Sequence, residues 1–443
     1  MPEKDELYNV TISDINSDGY GICRIGGVVT FVIGGVTGDE CEIKIIKVLK
    51  NYCVAAVSKL MSPSPYRTAP SCDNKRCGGC VFCNITDEYE LTVKKKTVEG
   101  AFLRAGIDLP VAETAFAGKT YGYRNKAQFP VGTDKNGHLF FGYYAKRSHE
   151  IIKCQTCSIA HPDFTAIAET VCRTAEKYGI PAYDESSGKG LLRHICMRYG
   201  KSGILLTLVI NAVTLPDLDR IIDETVSAHK NLTGVMINVN RKNTNVIYGE
   251  EFRCVYGSDM TEDELCGLTF DIASPSFYQV NHDCCEALYR KAGELLDLHG
   301  GETVVDLYCG VGTVGMCAAS GAGRLVGIEI VPEAVRNAEK NARKNGFENA
   351  EFHCGDSSMI KKIISGRVDV LIVDPPRKGL SDEVIEAIFD VRPDKLLYIS
   401  CDPNTLARDL KKLLTVYGTD KAYPFNMFPK TSHVETVCLL SRQ

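Results

Sequence analysis

An alternation of strand-like and helix-like segments, from about residue 285 onward, constrains the fold more than any other feature of this sequence. The strand-like segments read TVVDLYC, LVGIEI, AEFHCGD, VDVLIVDPP and KLLYISC. The helical ones read CEALYRKAGELLDL, PEAVRNAEKNARKNG, SDEVIEAIFD and PNTLARDLKKLL. This pattern predicts a doubly wound, mainly parallel sheet with helices on both faces. We therefore expect an α/β domain over residues 281–443.

The rest of the 443-residue chain divides into two further regions. Residues 1–62 alternate apolar and polar positions between glycine turns, which predicts a small, OB-like antiparallel β-barrel. The segment MSPSPYRTAPS then reads as a linker. Residues 63–280 are expected to form an α+β domain with strands at RHICMRYG and GILLTLVIN. Its first helix, at about residues 86–105, is expected to pack on the C-terminal domain.

Composition places the protein in a reducing, aqueous compartment. The longest apolar run, GILLTLVINAV, is far shorter than the roughly 18 residues of a membrane span, and the charged start MPEKDELYN lacks a signal-peptide core. We expect a cytoplasmic protein with no membrane partner. Its 20 cysteines are then poor candidates for disulfides, because cytosolic thiols stay reduced, and metal or catalytic roles become more attractive.

A glycine-rich motif indicates a cofactor site. In DLYCGVGTVG, Gly310, Gly312 and Gly315 follow a strand and open a helix, the Rossmann-like spacing that lets a ligand approach the backbone. Glu329 ends the next strand, where a carboxylate can bind ribose hydroxyls. Nicotinamide dinucleotides and S-adenosylmethionine both fit. Asp374, in DPP at the end of another strand, favours S-adenosylmethionine and a methyltransferase over a turn without a ligand.

Two residues near the C-terminus suggest covalent chemistry. Cys401 comes directly after the apolar strand KLLYIS, at the sheet edge where α/β proteins bind ligands. A buried packing cysteine is the alternative. Glu435 ends the loop FPKTSHVE before an apolar final strand, where an isolated acid is usually a solvated turn residue. Both gain a function only if a reaction requires a thiolate and a base.

A cysteine motif, CDNKRCGGC, indicates a metal centre. Cys72, Cys77 and Cys80 share one glycine-containing loop, and three thiolates there can hold a metal centre together with a fourth ligand. Cys83, Cys154 and Cys157 are the candidates for that ligand. An iron–sulfur cluster, zinc and unrelated packing cysteines remain open at this point. The spacing differs from the C-x-x-x-C-x-x-C motif of radical enzymes.

The net charge of −5 argues against a wholly basic nucleic-acid binder, but one stretch is different. Residues 117–153 combine basic and aromatic side chains, a mixture that suits phosphate pairing and base stacking. A solvated strand face over an aromatic core explains it equally well. The basic residues are Lys119, Arg124, Lys126, Lys135, Lys146, Arg147 and Lys153.

Five motifs in this order, FYQVN, DLYCGVGT, DPPRKG, SCDPNT and FPKTSHVE, resemble those of the RNA uracil-5-methyltransferases. The likeness is greatest to the iron–sulfur-containing 23S ribosomal RNA (uracil-5-)-methyltransferases, and it covers nearly the whole chain. The first 60 residues resemble a TRAM RNA-binding domain, and CDNKRCGGC resembles the cluster loop.

The resemblance implies a role for each candidate site residue. It implies that Cys401 is the nucleophile that adds to the uracil ring and that Glu435 is the base. It further implies that S-adenosylmethionine binds to Gln279, Tyr308, Glu329 and Asp374, with Asp356 near the adenine. A [4Fe–4S] cluster would be held by Cys72, Cys77, Cys80 and Cys157.

The resemblance leaves three functions to compare. The first is methylation of 23S ribosomal RNA by a monomeric enzyme, which the barrel and the cysteine motif favour. The second is the same reaction on transfer RNA. The third is RNA binding without catalysis, which the presence of both Cys401 and Glu435 disfavours.

Overall fold

The computed structural model describes residues 2–72, 76–146 and 148–443. Residues 73–75 of the cysteine motif and Arg147 of the basic stretch lie outside the described residues. The N-terminal strands form one six-stranded sheet, in the order β1-β5-β6-β4-β3-β2, around a small apolar core. Its pairs are antiparallel except β4 and β6, which run parallel, so the expectation of a purely antiparallel barrel is wrong at that pair. The strands are β1 Leu7–Thr11, β2 Asp14–Ile15, β3 Gly21–Ile25, β4 Val28–Ile33, β5 Glu40–Val48 and β6 Tyr52–Ser62.

The central region forms a seven-stranded sheet in the order β13-β12-β11-β10-β7-β8-β9. Helices α2 (Asp163–Lys177) and α3 (Leu218–Ala228) cover one face, where alternate apolar strand residues form a buried core. The strands are β7 Lys126–Thr133, β8 Leu139–Tyr144, β9 Ile151–Lys153, β10 Leu192–Gly200, β11 Gly203–Ile210, β12 Leu232–Val239 and β13 Glu251–Gly257. A separate hairpin follows, made of β14 Met260–Leu265 and β15 Leu268–Ala273.

The C-terminal part confirms the predicted doubly wound domain. Its sheet runs β18-β17-β16-β19-β20-β23-β21, with β22 beside β23; the pairs from β18 to β20 are parallel and β23 is antiparallel to β20. The strands are β16 Thr303–Leu307, β17 Arg324–Glu329, β18 Ala350–Cys354, β19 Val370–Val373, β20 Lys395–Ser400, β21 Tyr417–Gly418, β22 Ala422–Phe425 and β23 Glu435–Arg442. The helices are α4 His282–Leu296, α5 Thr313–Ala318, α6 Pro332–Lys344, α7 Ile360–Ile363, α8 Asp382–Val391 and α9 Pro403–Leu413, with a 3₁₀ turn at Ser357–Met359.

Helix α1 (Asp87–Ala105) belongs to the central region in sequence but packs on the C-terminal domain. Thr86 caps its first turn, and Gly106, with a left-handed φ of 73°, ends it. Val98, Ala101 and Phe102 are buried in the core formed by β16, β17, β19 and β20. The expected domain boundaries at residues 62 and 280 stay predictions.

A buried polar network also joins α1 to the loop that precedes β23. Glu90 and Lys94 form an ion pair at 2.9 Å, and both side chains are 1% exposed. Lys94 Nζ donates to Asn426 Oδ1 at 2.5 Å and to the Phe428 carbonyl at 2.9 Å. Glu90 Oε1 accepts from the backbone N–H of Lys430 at 2.8 Å. The helix therefore positions the loop through charged groups shielded from water.

Lys430 completes this network from the loop side. Its Nζ donates to the Ile85 carbonyl at 2.9 Å and pairs with Asp87 at 2.6 Å, while its backbone has a left-handed φ of 67°. Burial alone would lower the pKa of Lys430, but Asp87 and Glu90 outweigh it and raise that pKa.

Within the parts of the chain that the structure describes, we find no helix with the length and apolar character needed to cross a membrane.

We predict that Lys94→Ala lowers the free energy of unfolding by about 3–5 kcal/mol, because removing one partner leaves buried charge uncompensated. Lys96→Ala is the matched control, since Lys96 lies on the same helix but is half exposed and only 3.7 Å from Asp14. That control should cost less than about 1 kcal/mol. Urea denaturation followed by circular dichroism measures both variants, and equal losses would contradict a buried network.

Candidate active site

Cys401 lies at the carboxyl edge of the parallel sheet. Strand β20 ends at Ser400, and Asp402 begins α9 by accepting hydrogen bonds from the backbone of Asn404 at 2.8 Å and Thr405 at 3.3 Å. Pro403 occupies the first turn, where its missing N–H costs nothing. Cys401 therefore occupies a short connection between two rigid elements and remains partly accessible.

The final strand brings Glu435 next to this thiol. Ser400 pairs with Thr436 in the β20–β23 ladder, so the residues one step beyond this pair, Cys401 and Glu435, meet at the sheet edge. Burial raises the pKa of Cys401 to about 12, with a further contribution from the Glu435 charge. Glu435 is 3% exposed, and burial followed by repulsion from Asp374 raises its pKa.

Arg377 supplies positive charge at the same place. This residue follows Asp374-Pro375-Pro376 after β19, and its charge lowers the pKa values of both Cys401 and Glu435. Its Nη2 donates to His433 Nε2 at 3.1 Å. Burial, reinforced by Arg377, lowers the pKa of His433 to about 4, so the imidazole is neutral and can accept that hydrogen bond.

The glycine-rich loop forms the next part of the edge. Gly312 has a left-handed φ of 84°, and a Cβ at Gly315 would meet Asp306 Oδ2 at 2.9 Å. That oxygen accepts from the backbone N–H of Gly315 at 2.9 Å, while Asp306 Oδ1 is buried without a partner. Burial raises the pKa of Asp306 to about 8. A buried carboxyl oxygen without a hydrogen-bond partner beside such a loop suits a ligand that carries a hydrogen-bond donor or a positive charge.

An acidic and apolar rim continues from this loop. Glu329 ends β17 and accepts from the backbone N–H groups of Gly310 at 3.1 Å and Val331 at 2.8 Å. The next side chain, Ile330, is 64% exposed. Met359, after β18, is also exposed. An apolar surface beside a carboxylate suits a nucleoside, whose base is flat and apolar and whose ribose offers hydroxyls.

Tyr308 and Asp356 lie together beside this rim. Tyr308 has a left-handed φ of 65°, and burial raises the pKa of its hydroxyl, with Asp356 among the contributing charges. Asp356 Oδ1 accepts from the backbone N–H of Ser358 at 2.9 Å and from its hydroxyl at 2.6 Å, so this carboxylate also shapes its own turn.

Asp374 lies between the glycine-rich loop and the thiol. Burial raises its pKa, and its charge in turn raises the pKa values of Asp306, Cys285 and Glu435. Cys285 is on α4, which begins three residues after Gln279. Gln279 is buried, and its carbonyl accepts from Asn125 Nδ2 at 2.9 Å. The predicted catalytic residues, and the predicted cofactor residues other than Gln279, thus lie at strand ends along one sheet edge.

The predicted metal ligands form a separate group. Cys72, Cys77, Cys80 and Cys157 line one cavity of about 470 Å³, together with Cys83 and Cys154. Burial raises the pKa values of Cys80 and Cys154 to about 12 each, and the neighbouring thiols add to the effect. The charge of Arg124 acts in the opposite direction on Cys77 and Cys80. In the described ranges, with gaps at 73–75 and 147, no three Cys, His, Asp or Glu side chains already have the arrangement of a metal site.

Sequence reasoning assigned no role to three residues of the edge. Arg377 and His433 lie inside the motifs DPPRKG and FPKTSHVE, so the motifs could have pointed to both residues. Their contact with each other joins segments far apart in the sequence and is visible only in the structure. Phe277, in FYQVN, is 70% exposed, an unusual state for a large apolar side chain two residues before the buried Gln279.

Fold and site together define an S-adenosylmethionine-dependent methyltransferase: a doubly wound sheet whose carboxyl edge combines a glycine-rich loop, a carboxylate at the end of the next strand and an acidic strand end. The comparisons give the family. Residues 266–443 match the tRNA (Uracil-5-)-methyltransferase family, and residues 5–57 match the TRAM domain. The chain belongs to the RNA uracil-5-methyltransferases and carries an N-terminal TRAM domain.

Two relatives cover nearly the whole chain. A Bacillus cereus protein named as an RNA methyltransferase is 39% identical, with 99% of this chain and 97% of the relative aligned. A Clostridium tetani protein with the same name is 38% identical, with the same coverage.

A solved structure aligns with nearly the whole chain. The Pyrococcus abyssi tRNA (uracil-54, C5)-methyltransferase, crystallised with S-adenosyl-L-homocysteine, is 27% identical with a TM-score of 0.78. The alignment covers 98% of this chain and 100% of that one.

Proposed function

We propose that the protein methylates carbon 5 of a uridine in 23S ribosomal RNA through a covalent adduct with Cys401, with Glu435 as the base. The meeting of these two residues at the carboxyl edge of the sheet is the observation that supports the reaction. A thiol and a buried acid, side by side near a cofactor loop, match the two roles that the reaction needs.

The reaction needs a nucleophile because carbon 5 of uracil is itself weakly nucleophilic. A thiolate that adds to carbon 6 produces an enolate with electron density on carbon 5, which can then accept a methyl group. S-adenosylmethionine, when bound, supplies that electrophilic methyl. Cys401 is protonated in the unliganded protein because its pKa is raised, and Arg377 is the neighbouring charge that favours its thiolate.

Glu435 removes the carbon 5 proton after methylation, which lets the Cys401 sulfur leave carbon 6. A carboxylate whose pKa is raised by burial accepts a proton more readily than an exposed one. Gln279, Tyr308, Glu329, Asp356 and Asp374 form the proposed binding site for the methyl donor. A uracil stacked in folded RNA cannot reach this edge, so the target base is flipped out of its stack.

The two catalytic roles predict different products in variants. Cys401→Ala should still bind RNA and S-adenosylmethionine but form neither adduct nor product, because the enolate never arises. Glu435→Gln should permit addition and methyl transfer and then stall, since a missing general base slows proton removal by roughly 10²–10⁴-fold. A denaturing gel with a radioactive methyl donor should show labelled RNA attached to the Gln variant.

Cys254→Ala is the matched control, because Cys254 is exposed on β13 of the central sheet and is not part of the carboxyl edge of the C-terminal sheet; it should leave turnover unchanged. The role of Glu435 is refuted if the Gln variant turns over at the normal rate. An adduct formed by the Cys401→Ala protein would exclude Cys401 as the nucleophile.

Transfer RNA is the second candidate substrate. The Pyrococcus abyssi enzyme acts on tRNA and aligns with 98% of this chain, so the N-terminal barrel does not separate the two substrates. The cysteine-lined cavity supports ribosomal RNA, through the resemblance of CDNKRCGGC to the cluster loop of the 23S enzymes.

Mass-spectrometric mapping of 5-methyluridine should decide between the substrates. In cells that lack this protein, we expect one or more 23S sites to lose the methyl group while transfer RNA is unchanged. Restoring wild-type protein should restore the sites, and restoring Cys401→Ala should not. Loss confined to transfer RNA would establish the second candidate.

We also propose that Cys72, Cys77, Cys80 and Cys157 hold a [4Fe–4S] cluster. Six thiols around one cavity provide more than enough sulfur ligands for such a centre. When bound, the cluster has a structural or RNA-positioning role, because methyl transfer needs no electron.

Anaerobically purified protein should be brown and contain about four iron and four sulfide per chain. Cys157→Ala should lose most of the iron, whereas Cys254→Ala should retain it. Stoichiometric zinc without visible absorption would show that the site binds zinc and not a cluster. Intact iron in the Cys157 variant would show that Cys83 or Cys154 is the fourth ligand.

A further inference from the structure

Two positive charges face each other across neighbouring strands of the central sheet. Lys126 on β7 is the direct register partner of Arg198 on β10. Like charges in directly opposite positions destabilise a sheet, so this pair has a cost that nothing in the sheet itself explains.

Burial makes the arrangement more costly. Arg198 is 2% exposed; its Nη2 donates to the Ser276 carbonyl at 2.6 Å, but its Nε and Nη1 have no hydrogen-bond partner. Burial, followed by repulsion from Arg198, lowers the pKa of Lys126 to about 7. A buried charge is ordinarily paired, and unpaired buried donors are rare in native proteins.

Among the residues that the structure describes, the surroundings of this pair supply aromatic rings but no acid free to neutralise it. Lys126 Nζ lies 5.8 Å from the ring centre of Tyr248. Asp263 is the acid that acts on Arg198, but its Oδ2 already accepts from the Tyr278 hydroxyl at 3.0 Å, and burial raises its pKa. In the portion of the chain that the structure describes, neither Lys126 nor Arg198 forms a salt bridge.

Lys126 opens into a cavity of about 280 Å³ that lies next to the proposed methyl-donor site. Its lining includes Phe277, Tyr278 and Val280, which flank Gln279 in the sequence. Arg124 lines it too, with its Nε unpartnered, and the charge of Arg124 also acts on His433 in the loop before Glu435. The cavity therefore adjoins the active site and is lined by two cationic side chains, with Arg198 directly behind Lys126 on the next strand.

We propose that Lys126 and Arg124, which line this cavity, bind a backbone phosphate of the RNA strand that delivers the target uridine, and that Arg198 favours the anion through its charge from the next strand. The proposal rests on the proposed function for the identity of the strand. A phosphate can accept from the unpartnered Nε–H of Arg124 and offsets the repulsion between Lys126 and Arg198, which a neutral ligand cannot do. Fixing one phosphate here sets how far the flipped nucleotide reaches toward Cys401.

Salt dependence of RNA binding tests this site directly. The probe is a fluorescently labelled 12-nucleotide oligouridylate, measured by anisotropy at several salt concentrations without a methyl donor. Lys126→Gln should weaken binding on the order of 10-fold, as expected for a lost charged hydrogen bond. It should also reduce the slope of log affinity against log salt by about 0.7, the value for one phosphate on a single strand.

Lys126→Arg should restore affinity and slope, because it keeps the charge and the donors. Lys135→Gln is the matched control, since Lys135 is an exposed lysine in the turn after β7 and should change neither quantity. The Gln variant should also keep wild-type binding of S-adenosylmethionine. An unchanged slope in Lys126→Gln overturns the proposal, as does failure of the Arg variant to restore affinity while S-adenosylmethionine binding is normal.

Neutral linkages locate the phosphate. Replacing single phosphates of the oligouridylate by methylphosphonates should weaken binding at one position in the wild type and have no further effect there in Lys126→Gln. Equal effects in both proteins would overturn the assignment. Because these measurements need no catalysis, a protein that binds RNA in this way but does not methylate it would refute the proposed function and leave the phosphate site intact.

Discussion

The active-site edge depends on the buried network of Glu90, Lys94 and Lys430. Two lysines and a glutamate in an apolar interior are stable only as a paired set, since each one alone would carry a large desolvation cost. Their pairing ties α1 to the loop before β23, and that loop determines where Glu435 begins its strand. A helix more than 300 residues away in sequence therefore determines the position of the proposed base.

A second constraint is electrostatic. Asp306, Asp374 and Glu435 have raised pKa values mainly because the sheet edge is buried, and the charge of Arg377 partly offsets this effect at Glu435 and Cys401. These buried carboxyl groups have too little positive charge around them in the protein alone. Such an edge suits S-adenosylmethionine, whose sulfonium carries a positive charge. The same burial raises the pKa of Cys401 and keeps the thiol protonated in the unliganded protein, which would protect the proposed nucleophile outside turnover.

The central sheet shows how one amphipathic pattern can serve two purposes. Phe129 and Phe141 belong to the basic and aromatic stretch at residues 117–153, and both are buried against α2. This agrees with the interpretation of that stretch as a strand face over an aromatic core. Lys126 alternates with Phe129 along β7 and points to the other face, where Arg198 meets it. Packing and the proposed phosphate binding are thus divided between the two faces of one sheet.

The sequence alone determined the doubly wound domain, the glycine-rich loop and the positions of Cys401 and Asp374 at strand ends, because hydrophobic period and glycine spacing are local properties. It did not determine that β4 and β6 pair in parallel, that Arg377 acts on Cys401 and Glu435, or that Lys126 lies opposite Arg198. These facts follow from strand register and from contacts between distant segments. Register and long-range contact are decided by the packing of the whole chain, so only the tertiary structure could reveal them.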